Sequence, residues 1–308
     1  MTSFRPAIAA AEARWKALPG NFRGVVWALL AALAFSCMQV AIKFAGRTLP
    51  VWEIMVLRSA IALVFIAPAI WRAGLPSLRT TRPRAHLLRA CLGFGGISTL
   101  VLSIQHLDLA IVATLGFTNT LFVIVFAWAF LGERIVRDRT LATFAGFFGV
   151  LVCLRPGPEG IDLWALVMLA SAVFAAGVHT TIKSLTGTER PTTIMFYSYT
   201  GIMALSAIPC AIHWRTPTLE EMAFVGAMAA CTAMGQTCMV LSLRAGEAVA
   251  VAPFNYTRIL YATAFGFLLF GEIPAWTTFA GAGVIVAATL YLALRERRRP
   301  LRTPASGP

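Results

Sequence analysis

Long apolar runs recur along this chain, and the short stretches between them hold most of its charged residues. A helix needs about 20 mostly apolar residues to cross about 30 Å of hydrocarbon. Runs of this kind predict ten membrane-spanning helices, numbered here as spans 1 to 10. In chain order the spans are Phe22–Phe44, Val51–Trp71, Leu87–His106, Leu109–Leu131, Thr140–Leu154, Leu163–Lys183, Thr193–Trp214, Glu220–Leu243, Ala248–Phe270 and Ala275–Leu294.

The composition also indicates a membrane protein. Apolar residues make up 58% of the chain, charged residues make up 13%, and the mean hydropathy is +0.77. This balance lies outside that of ordinary soluble domains. All six cysteines lie within apolar spans, and none has a Cys-x-x-Cys spacing. A disulfide framework and a zinc site are therefore not expected, and neither is any other metal or cofactor.

The net charge of +13 is distributed in a way that argues for a membrane topology and against nucleic-acid binding. If the N-terminus is cytoplasmic, nineteen Lys and Arg residues fall on the cytoplasmic side and four on the other. Such an excess is the usual pattern of cytoplasmic segments, so both termini are expected in the cytoplasm. The basic tail, residues 295–308, is expected to contact anionic lipid headgroups.

Two stretches of the chain are similar and align without a gap, Leu107 to Glu133 with Gly246 to Glu272. Seven of the 26 positions aligned from Asp108 are identical, both stretches end in Gly-Glu, and a Phe-Ala-Gly follows each. The same offset of 139 residues, applied along both halves of the chain, is called here the repeat alignment.

The chain is therefore predicted to be a duplication, with a cytoplasmic segment at 1–21 and repeats at 22–154 and 163–294. Because each repeat has five spans, the second enters the membrane from the opposite side. The predicted fold is an all-α membrane protein of ten transmembrane helices in two inverted repeats.

Several motifs resemble the EamA branch of the drug/metabolite transporter superfamily. They are the Leu-Gly-Glu and Phe-Gly-Glu that end spans 4 and 9, the Phe-Ala-Gly of spans 5 and 10, and Pro253 early in span 9. The resemblance extends from about Phe22 to Leu294, and it implies a carrier of an organic solute in the bacterial inner membrane. Similar members include amino-acid and metabolite exporters. Asn255 to Arg258 and the run FGEIPAW resemble the subgroup for riboflavin or S-adenosylmethionine uptake.

Arg258 is the leading candidate for substrate binding. Counting from Ala248 at about 1.5 Å per residue places it about 15 Å deep, near the bilayer centre. A charge there is costly and is by default a functional hypothesis, and every acidic residue of the sequence lies in a tail, in a loop or near a span end. The hypothesis is that a carboxylate or phosphate of the substrate pairs with Arg258. The alternative is a structural role, in which Arg258 donates to helix carbonyls and to hydroxyls such as that of Tyr261.

Other residues are expected to line the same cavity. Asn119 matches Arg258 in the repeat alignment, and Phe117 matches Tyr256. An aromatic wall of Phe117, Tyr256 and Tyr261 suits a flat solute, although aromatic residues also fill space between helices. The remaining candidates are Gln39, Arg58, Tyr197, Tyr199 and Gln236. For Arg58 and for any single polar residue, a structural bond to the backbone or to a neighbouring helix is the favoured alternative.

The mechanism predicted for the chain is transport. Pro253 is expected to kink span 9 and to act as a gating bend, because proline removes a backbone donor. His179 is a candidate proton relay, but exchange and facilitated diffusion are at least as well supported, since the sequence has no carboxylate in the middle of a span.

Other classes of function are weaker alternatives. The sequence lacks the common hydrolase and phosphate-binding motifs. A channel or lipid flippase remains an alternative, and a membrane-embedded transferase is a weaker one. The expected partners are a small-molecule substrate and membrane lipids, and a homodimer is left open. Nucleic acid is not an expected partner.

Overall fold

A computed structural model describes residues 18–74, 78–131, 137–154, 162–185, 188–212, 214–246, 251 and 254–297. Within these ranges the regular structure is helical, and there are no strands. One turn in the wider π conformation, Gly266–Phe270, follows directly after the helix Thr257–Phe265. The helices are Gly20–Ala45 (α1), Val51–Ala73 (α2), Pro83–His106 (α3), Leu109–Gly116 (α4), Asn119–Leu131 (α5), Arg137–Leu154 (α6), Leu163–Leu185 (α7), Pro191–Ile212 (α8), Leu219–Ala245 (α9), Thr257–Phe265 (α10) and Trp276–Arg297 (α11).

Seven described stretches are long and apolar enough to cross a membrane. They correspond to spans 1 to 4 and 6 to 8, with Leu109–Phe126 representing span 4. Spans 5, 9 and 10 correspond to shorter apolar helices at Phe144–Leu154, Thr257–Phe270 and Trp276–Ala288. The structure therefore supports an all-helical protein with several membrane crossings, and the count of ten stays a prediction.

Local signals set where several helices begin. Pro19 and Pro50 precede α1 and α2, and Pro83 occupies the first turn of α3, where its missing N–H costs no helical hydrogen bond. At α9 the Thr218 hydroxyl accepts from the Glu221 N–H at 3.3 Å, and the Glu221 carboxylate accepts from the Thr218 N–H at 2.7 Å. Because of Pro83, α3 begins one turn before the predicted start of span 3.

Span 4 is two helices, which corrects the prediction of one continuous helix. α4 ends at Gly116, a turn follows at Phe117 and Thr118, and α5 begins at Asn119. Span 9 has a turn at the equivalent position, Tyr256, just before α10.

The same side-chain bond stabilises both turns. The Thr118 hydroxyl donates to the Leu115 carbonyl at 2.6 Å, and the Thr257 hydroxyl donates to the Phe254 carbonyl at 2.7 Å. In each interrupted helix, the threonine hydroxyl thus supplies a hydrogen-bond donor to a backbone carbonyl near the break. In the repeat alignment the two threonines correspond to each other, and so do the two carbonyls.

The helices pack in pairs that follow the repeat. When each helix is replaced by its counterpart in the other half, every one of the following pairs becomes either itself or another packed pair. α1 packs on α9 as α3 packs on α7, while α2 pairs with α8 and α6 with α11. Phe35 lies against Gly235 and Phe174 lies against Gly96, at closest separations of 2.9 and 3.2 Å from a Cβ placed on each glycine. The repeat alignment matches Phe35 with Phe174 and Gly96 with Gly235, so the same packing is repeated in the two halves.

A pair of serines repeats this relation through hydrogen bonds. The Ser242 hydroxyl donates to the Gly24 carbonyl at 2.8 Å, and the Ser103 hydroxyl donates to the Trp164 carbonyl at 3.4 Å. The repeat alignment matches the two serines with each other, and it matches Gly24 with Leu163, the neighbour of Trp164. Similar bonds thus fix α9 on α1 and α3 on α7.

The two ends of the helix bundle are each named here after a buried acidic residue that lies there. The Glu272 end holds the loops at 46–50, 107–108, 214–218 and 271–275, joined by stacking of Phe44 on Phe224 and by contact of Phe44 with Phe270. The Glu189 end holds the loops at 78–82 and 188–190, where the Glu189 carboxylate accepts from the Thr80 hydroxyl at 2.6 Å.

Candidate functional site

Arg258 lies where α10 packs on both α1 and α4. The Ser36 hydroxyl on α1 donates to the Arg258 carbonyl at 3.3 Å. The guanidinium carbon of Arg258 lies 5.6 Å from the centre of the Phe35 ring, which gives a cation–π contact. α1 therefore holds both the backbone and the side chain of Arg258.

The guanidinium group of Arg258 is poorly satisfied. Its Nε is buried and has no hydrogen-bond partner. None of the ion pairs found among the described residues involves Arg258. The alternative expected from the sequence, in which the Tyr261 hydroxyl or helix carbonyls accept from Arg258, does not occur within the described part of the chain. Tyr261 is half-buried one turn further along α10.

The two helix breaks meet beside Arg258. The rings of Phe117 and Tyr256 lie 4.7 Å apart between centroids, at 56°. Asn119 and Arg258 each follow one of these rings by two residues, and the Oδ1 of Asn119 is buried without a hydrogen-bond partner. The N-termini of α5 and α10 lie at these breaks, and helix N-termini carry partial positive charge. Phe35, Phe117, Asn119, Tyr256 and Arg258 form what is called here the central site.

Gln39 lies one turn beyond Phe35 and Ser36 on α1. Its side chain is 0% exposed, and neither its amide oxygen nor its amide nitrogen has a hydrogen-bond partner. A buried amide normally satisfies both groups. Gln39 is thus a buried, unsatisfied amide one turn from the α1 residues that contact Arg258.

The remaining predicted site residues lie elsewhere. The Tyr197 hydroxyl donates to the Leu78 carbonyl at 3.0 Å, and its ring contacts His86 at 4.7 Å, so Tyr197 connects α8 to the Glu189 end. Gln236 is exposed on α9. Arg58 on α2 and Tyr199 on α8 are half-buried and lie on helices other than those of the central site. Pro253 lies outside the described residues.

Two residues that the sequence does not single out take part in these arrangements. Phe35 is indistinguishable by pattern from the other apolar residues of span 1. The predicted start of span 3 leaves Arg89 at the edge of the membrane, but the earlier start of α3 at Pro83 carries it inside the helix. Proline at the first helical turn is the signal for the earlier start of α3.

Glu272 connects the two halves of the chain. Its carboxylate pairs with the ammonium of Lys43 on α1 and accepts from the Leu109 N–H at 2.8 Å, at the start of α4. Lys43 also donates to the Leu107 carbonyl at 2.7 Å. Glu272, in the second half, is thereby bonded to the start of α4 in the first half.

Asp108 is a second carboxylate at the same end. Burial raises the pKa of Asp108, the nearby Glu272 carboxylate raises it further, and Lys43 opposes the rise. Lys43 therefore balances two carboxylates near the start of α4. This cluster, Lys43, Asp108, Leu109 and Glu272, is called here the Glu272 clamp.

The described residues contain no group of three or more His, Cys, Asp or Glu side chains suited to a metal ion. At and beside the central site, the polar groups that lack partners include the guanidinium group of Arg258 and the amides of Asn119 and Gln39. Such groups suit an organic ligand that carries an anionic part.

Comparison with known proteins identifies a family. The chain matches the EamA-like transporter family twice, over residues 22–155 and 162–294. The two matches together cover most of the chain and fall on its two halves.

Curated relatives with named cargo cover nearly the whole chain. A riboflavin transporter of Rhizobium johnstonii is 32% identical, with 92% of this chain and 94% of the relative covered. An S-adenosylmethionine uptake transporter of Rickettsia bellii is 27% identical over 89% of this chain and 94% of its own length. A pseudopaline exporter of Pseudomonas aeruginosa is 32% identical over 89% and 97%.

The fold also matches a solved structure. That crystal structure aligns with a TM-score of 0.59 at 16% sequence identity, and the alignment covers 91% of this chain and 99% of the other. At this identity the match supports the fold alone.

Proposed function

Because the chain belongs to the EamA-like transporter family, and is thus a multi-pass membrane transporter and not an enzyme, we propose that it carries a small organic metabolite across the bacterial inner membrane by alternating access. In this proposal ten spans form two inverted five-helix halves, and both termini lie in the cytoplasm. The Glu189 end then faces the cytoplasm, and the Glu272 end faces outward. The excess of positive residues on the first of these sides supports this orientation.

The paired contacts of the two halves support the inverted arrangement. The bonds of Ser103 and Ser242, and the packing of Phe174 and Phe35, recur at matching positions of the repeat alignment. Two halves with equivalent contacts have two packings of similar energy, one open to each side of the membrane. A small difference in ligand affinity between these packings is enough to shift their populations.

The observation that carries the substrate proposal is the buried Nε of Arg258, which has no described partner. A carboxylate or phosphate of the cargo is proposed to pair with this guanidinium group. The adjacent rings of Phe117 and Tyr256 suit a flat part of the cargo, and the amides of Asn119 and Gln39 suit its polar groups. The proposed cargo is therefore anionic or zwitterionic and partly aromatic.

The relatives suggest the first compounds to test. Their names give riboflavin as transported cargo, S-adenosylmethionine as imported cargo and pseudopaline as exported cargo. These relatives thus include both directions of transport and chemically different solutes. An aromatic amino acid belongs in the same panel, because it combines a carboxylate with a flat ring.

Solute counterflow with the purified protein in liposomes tests the proposal. Liposomes loaded with an excess of one unlabelled compound are expected to accumulate external labelled compound transiently and saturably. Arg258→Gln is expected to lower the initial rate at subsaturating substrate by about tenfold or more, because it removes a charge-assisted hydrogen bond. Arg258→Lys keeps the charge but loses the planar fork, so an intermediate rate is expected.

Arg72→Gln is the matched control, since Arg72 is exposed at the end of α2 and the substitution removes the same charge. It is expected to transport like the unaltered protein. Flux that neither saturates nor depends on internal solute would indicate a channel. Unchanged counterflow in Arg258→Gln would exclude Arg258 from the binding site.

A further inference from the structure

A second group of polar side chains, two of them arginines, lies on four helices that contribute nothing to the central site. Its members are Arg58 on α2, Arg89 on α3, His179 on α7 and Tyr199 on α8, and it is called here the Arg89 cluster. We propose that the Arg89 cluster is a second anion-binding site, which takes a carboxylate or phosphate group. Its place on a transport path rests on the function proposed above, whereas its binding of anions does not.

The helices that carry the Arg89 cluster pack on one another. α2 packs on α8, and α3 packs on both α7 and α8. Tyr199 lies close enough to both guanidinium groups to interact electrostatically with each, and Arg89 interacts in the same way with His179. Arg58 lies about 10 Å along α2 from the Glu272 end, and Arg89 lies about 9 Å along α3 from the Glu189 end. The cluster therefore extends from the Glu189 end through the middle of the bundle.

The cationic groups of the cluster lack partners. The Nη1 of Arg58 and the Nε of Arg89 are buried without hydrogen bonds. Arg89 has one long bond, from its Nη1 to the Ile194 carbonyl at 3.5 Å. In the described part of the chain, no ion pair involves either arginine. Two guanidinium groups are thus held in an apolar bundle with most of their hydrogen-bonding capacity unused.

The buried acid at this end of the bundle is already engaged. The Glu189 carboxylate accepts from the Thr80 hydroxyl at 2.6 Å and from the Thr81 N–H at 3.3 Å. It also lies 3.9 Å from the imidazole of His86. Glu189 therefore fixes the loops of the Glu189 end to each other, and among the described residues it forms no ion pair with Arg58 or Arg89.

The other half of the chain lacks this cluster. In the repeat alignment, Arg58 corresponds to Tyr197 and Arg89 to Met228, while His179 corresponds to Val40. The packing of Phe35 and Phe174 and the hydrogen bonds of Ser242 and Ser103, in contrast, recur at matching positions. The cations of the cluster are therefore not part of the packing that the two halves share.

Physical chemistry points to an anion as the missing partner. A charged side chain within the bilayer costs several kcal/mol, by order of magnitude, unless it is paired or hydrated. A guanidinium group presents parallel N–H donors that match a carboxylate or phosphate. Two such groups, each within electrostatic reach of Tyr199, suit a carboxylate or phosphate group.

Thermal stability of the protein in phosphatidylcholine nanodiscs, with phenyl phosphate as the probe, tests the inference. Sodium chloride at equal ionic strength is the reference. Phenyl phosphate is expected to raise the melting temperature in a saturable way, because a ligand that binds only the folded state stabilises it. Arg58→Gln and Arg89→Gln are each expected to weaken the apparent affinity by about tenfold or more.

Three further variants separate this site from other causes. Arg89→Lys keeps the charge and is expected to retain part of the effect, which guards against a variant that is simply misfolded. Arg72→Gln is expected to keep the full shift. Arg258→Gln is expected to lose only the contribution of the central site and to keep the contribution that depends on Arg58 and Arg89. If Arg258→Gln alone abolishes the shift, the anion binds only at the central site and the inference fails, while the proposed function stands.

A lipid headgroup and a free solute share this anionic chemistry, so a second set of nanodiscs contains phosphatidylglycerol. Stabilisation by that lipid, lost in Arg89→Gln, would identify the headgroup as the anion. Stabilisation by phenyl phosphate in phosphatidylcholine alone would identify a water-soluble anion. The absence of any shift that depends on Arg58 and Arg89, in both sets of nanodiscs, would overturn the inference.

Discussion

Gln39 places an unsatisfied amide in the interior of the protein. Its buried amide has neither a donor nor an acceptor partner among the described residues, and an unsatisfied buried polar group costs about 1 to 3 kcal/mol. Gln39→Leu removes that amide at nearly equal volume. We expect the substitution to stabilise the substrate-free protein by about 1 kcal/mol, while lowering transport because the ligand loses a hydrogen-bonding partner. Melting temperature and counterflow rate, measured together, check this.

Met38→Leu, on the same helix, is the matched control. Met38 is a partly buried apolar residue that packs against the core, and exchange of methionine for leucine usually costs less than about 1.5 kcal/mol. Its counterflow is expected to stay unchanged. If Gln39→Leu destabilises the protein, the amide has a partner in the fold, and its proposed role beside the central site is wrong.

At the scale of single residues, the sequence singles out Arg258 as a candidate for substrate binding, because one charge deep in an apolar run is conspicuous. It does not single out Phe35, whose contact with Arg258 depends on the packing of α10 on α1. The partner of Tyr197 is also beyond sequence reasoning, since Leu78 lies in a loop far away along the chain. The sequence identifies residues that are energetically costly to bury, whereas the neighbours of those residues depend on tertiary packing.

At the scale of elements, the Glu272 clamp joins helix ends from both halves. Lys43 has a side-chain exposure of 14% and Glu272 one of 8%, so water screens the pair only partly. Lys43→Met leaves the Glu272 and Asp108 carboxylates without their cation. We expect a loss of about 3 kcal/mol at neutral pH, as for removal of one partner from a buried pair. A titration of the purified protein with a denaturing detergent measures this loss in the free energy of unfolding.

The loss in Lys43→Met should shrink as the pH falls. The pKa of Asp108 is already raised in the folded protein, so the charged carboxylate opposes folding at neutral pH. This penalty disappears as the pH falls through the folded-state pKa and the carboxyl becomes protonated. Removing Lys43 increases the penalty, so acid is expected to restore part of the lost stability.

Two variants complete the comparison for the clamp. Glu272→Gln can still accept from the Leu109 N–H, and a smaller loss is expected than for Lys43→Met. Arg47→Met is the control, because exposed Arg47 lies 5.1 Å from the Phe44 and Phe270 ring centres, and such contacts contribute about 0.5 to 1 kcal/mol. Equal losses in Arg47→Met and Lys43→Met would show that the clamp has no special role.

Element prediction fails at the break in span 4 for a definable reason. Gly116, Phe117 and Thr118 lie inside an apolar run, and hydropathy does not separate a broken helix from a continuous one. The available signal is the threonine near the break in both repeats, whose hydroxyl bonds a carbonyl of the preceding turn. A bond of this kind is local, but its effect on the helix shows only in three dimensions.

At the scale of the whole molecule, the repeat alignment is the most productive prediction. The duplicated segment implies equivalent packing in the two halves, and the structure places Phe35 and Phe174, and Ser242 and Ser103, in such equivalent contacts. The Arg89 cluster departs from this equivalence. A carrier with two similar halves can open to either side, while a cluster of cations in one half makes the two openings chemically different.

Orientation in the membrane is the remaining whole-molecule prediction, and single cysteines in a variant lacking the six natural ones test it. His106→Cys and Ile273→Cys place thiols at exposed positions of the Glu272 end, before span 4 and after span 9. Both are expected to react with a membrane-impermeant maleimide in intact cells, because spans 4 and 9 run in opposite directions. Thr81→Cys, exposed at the Glu189 end, is expected to react only after permeabilisation. Labelling of His106→Cys and Ile273→Cys from different sides would contradict the inverted halves on which alternating access depends.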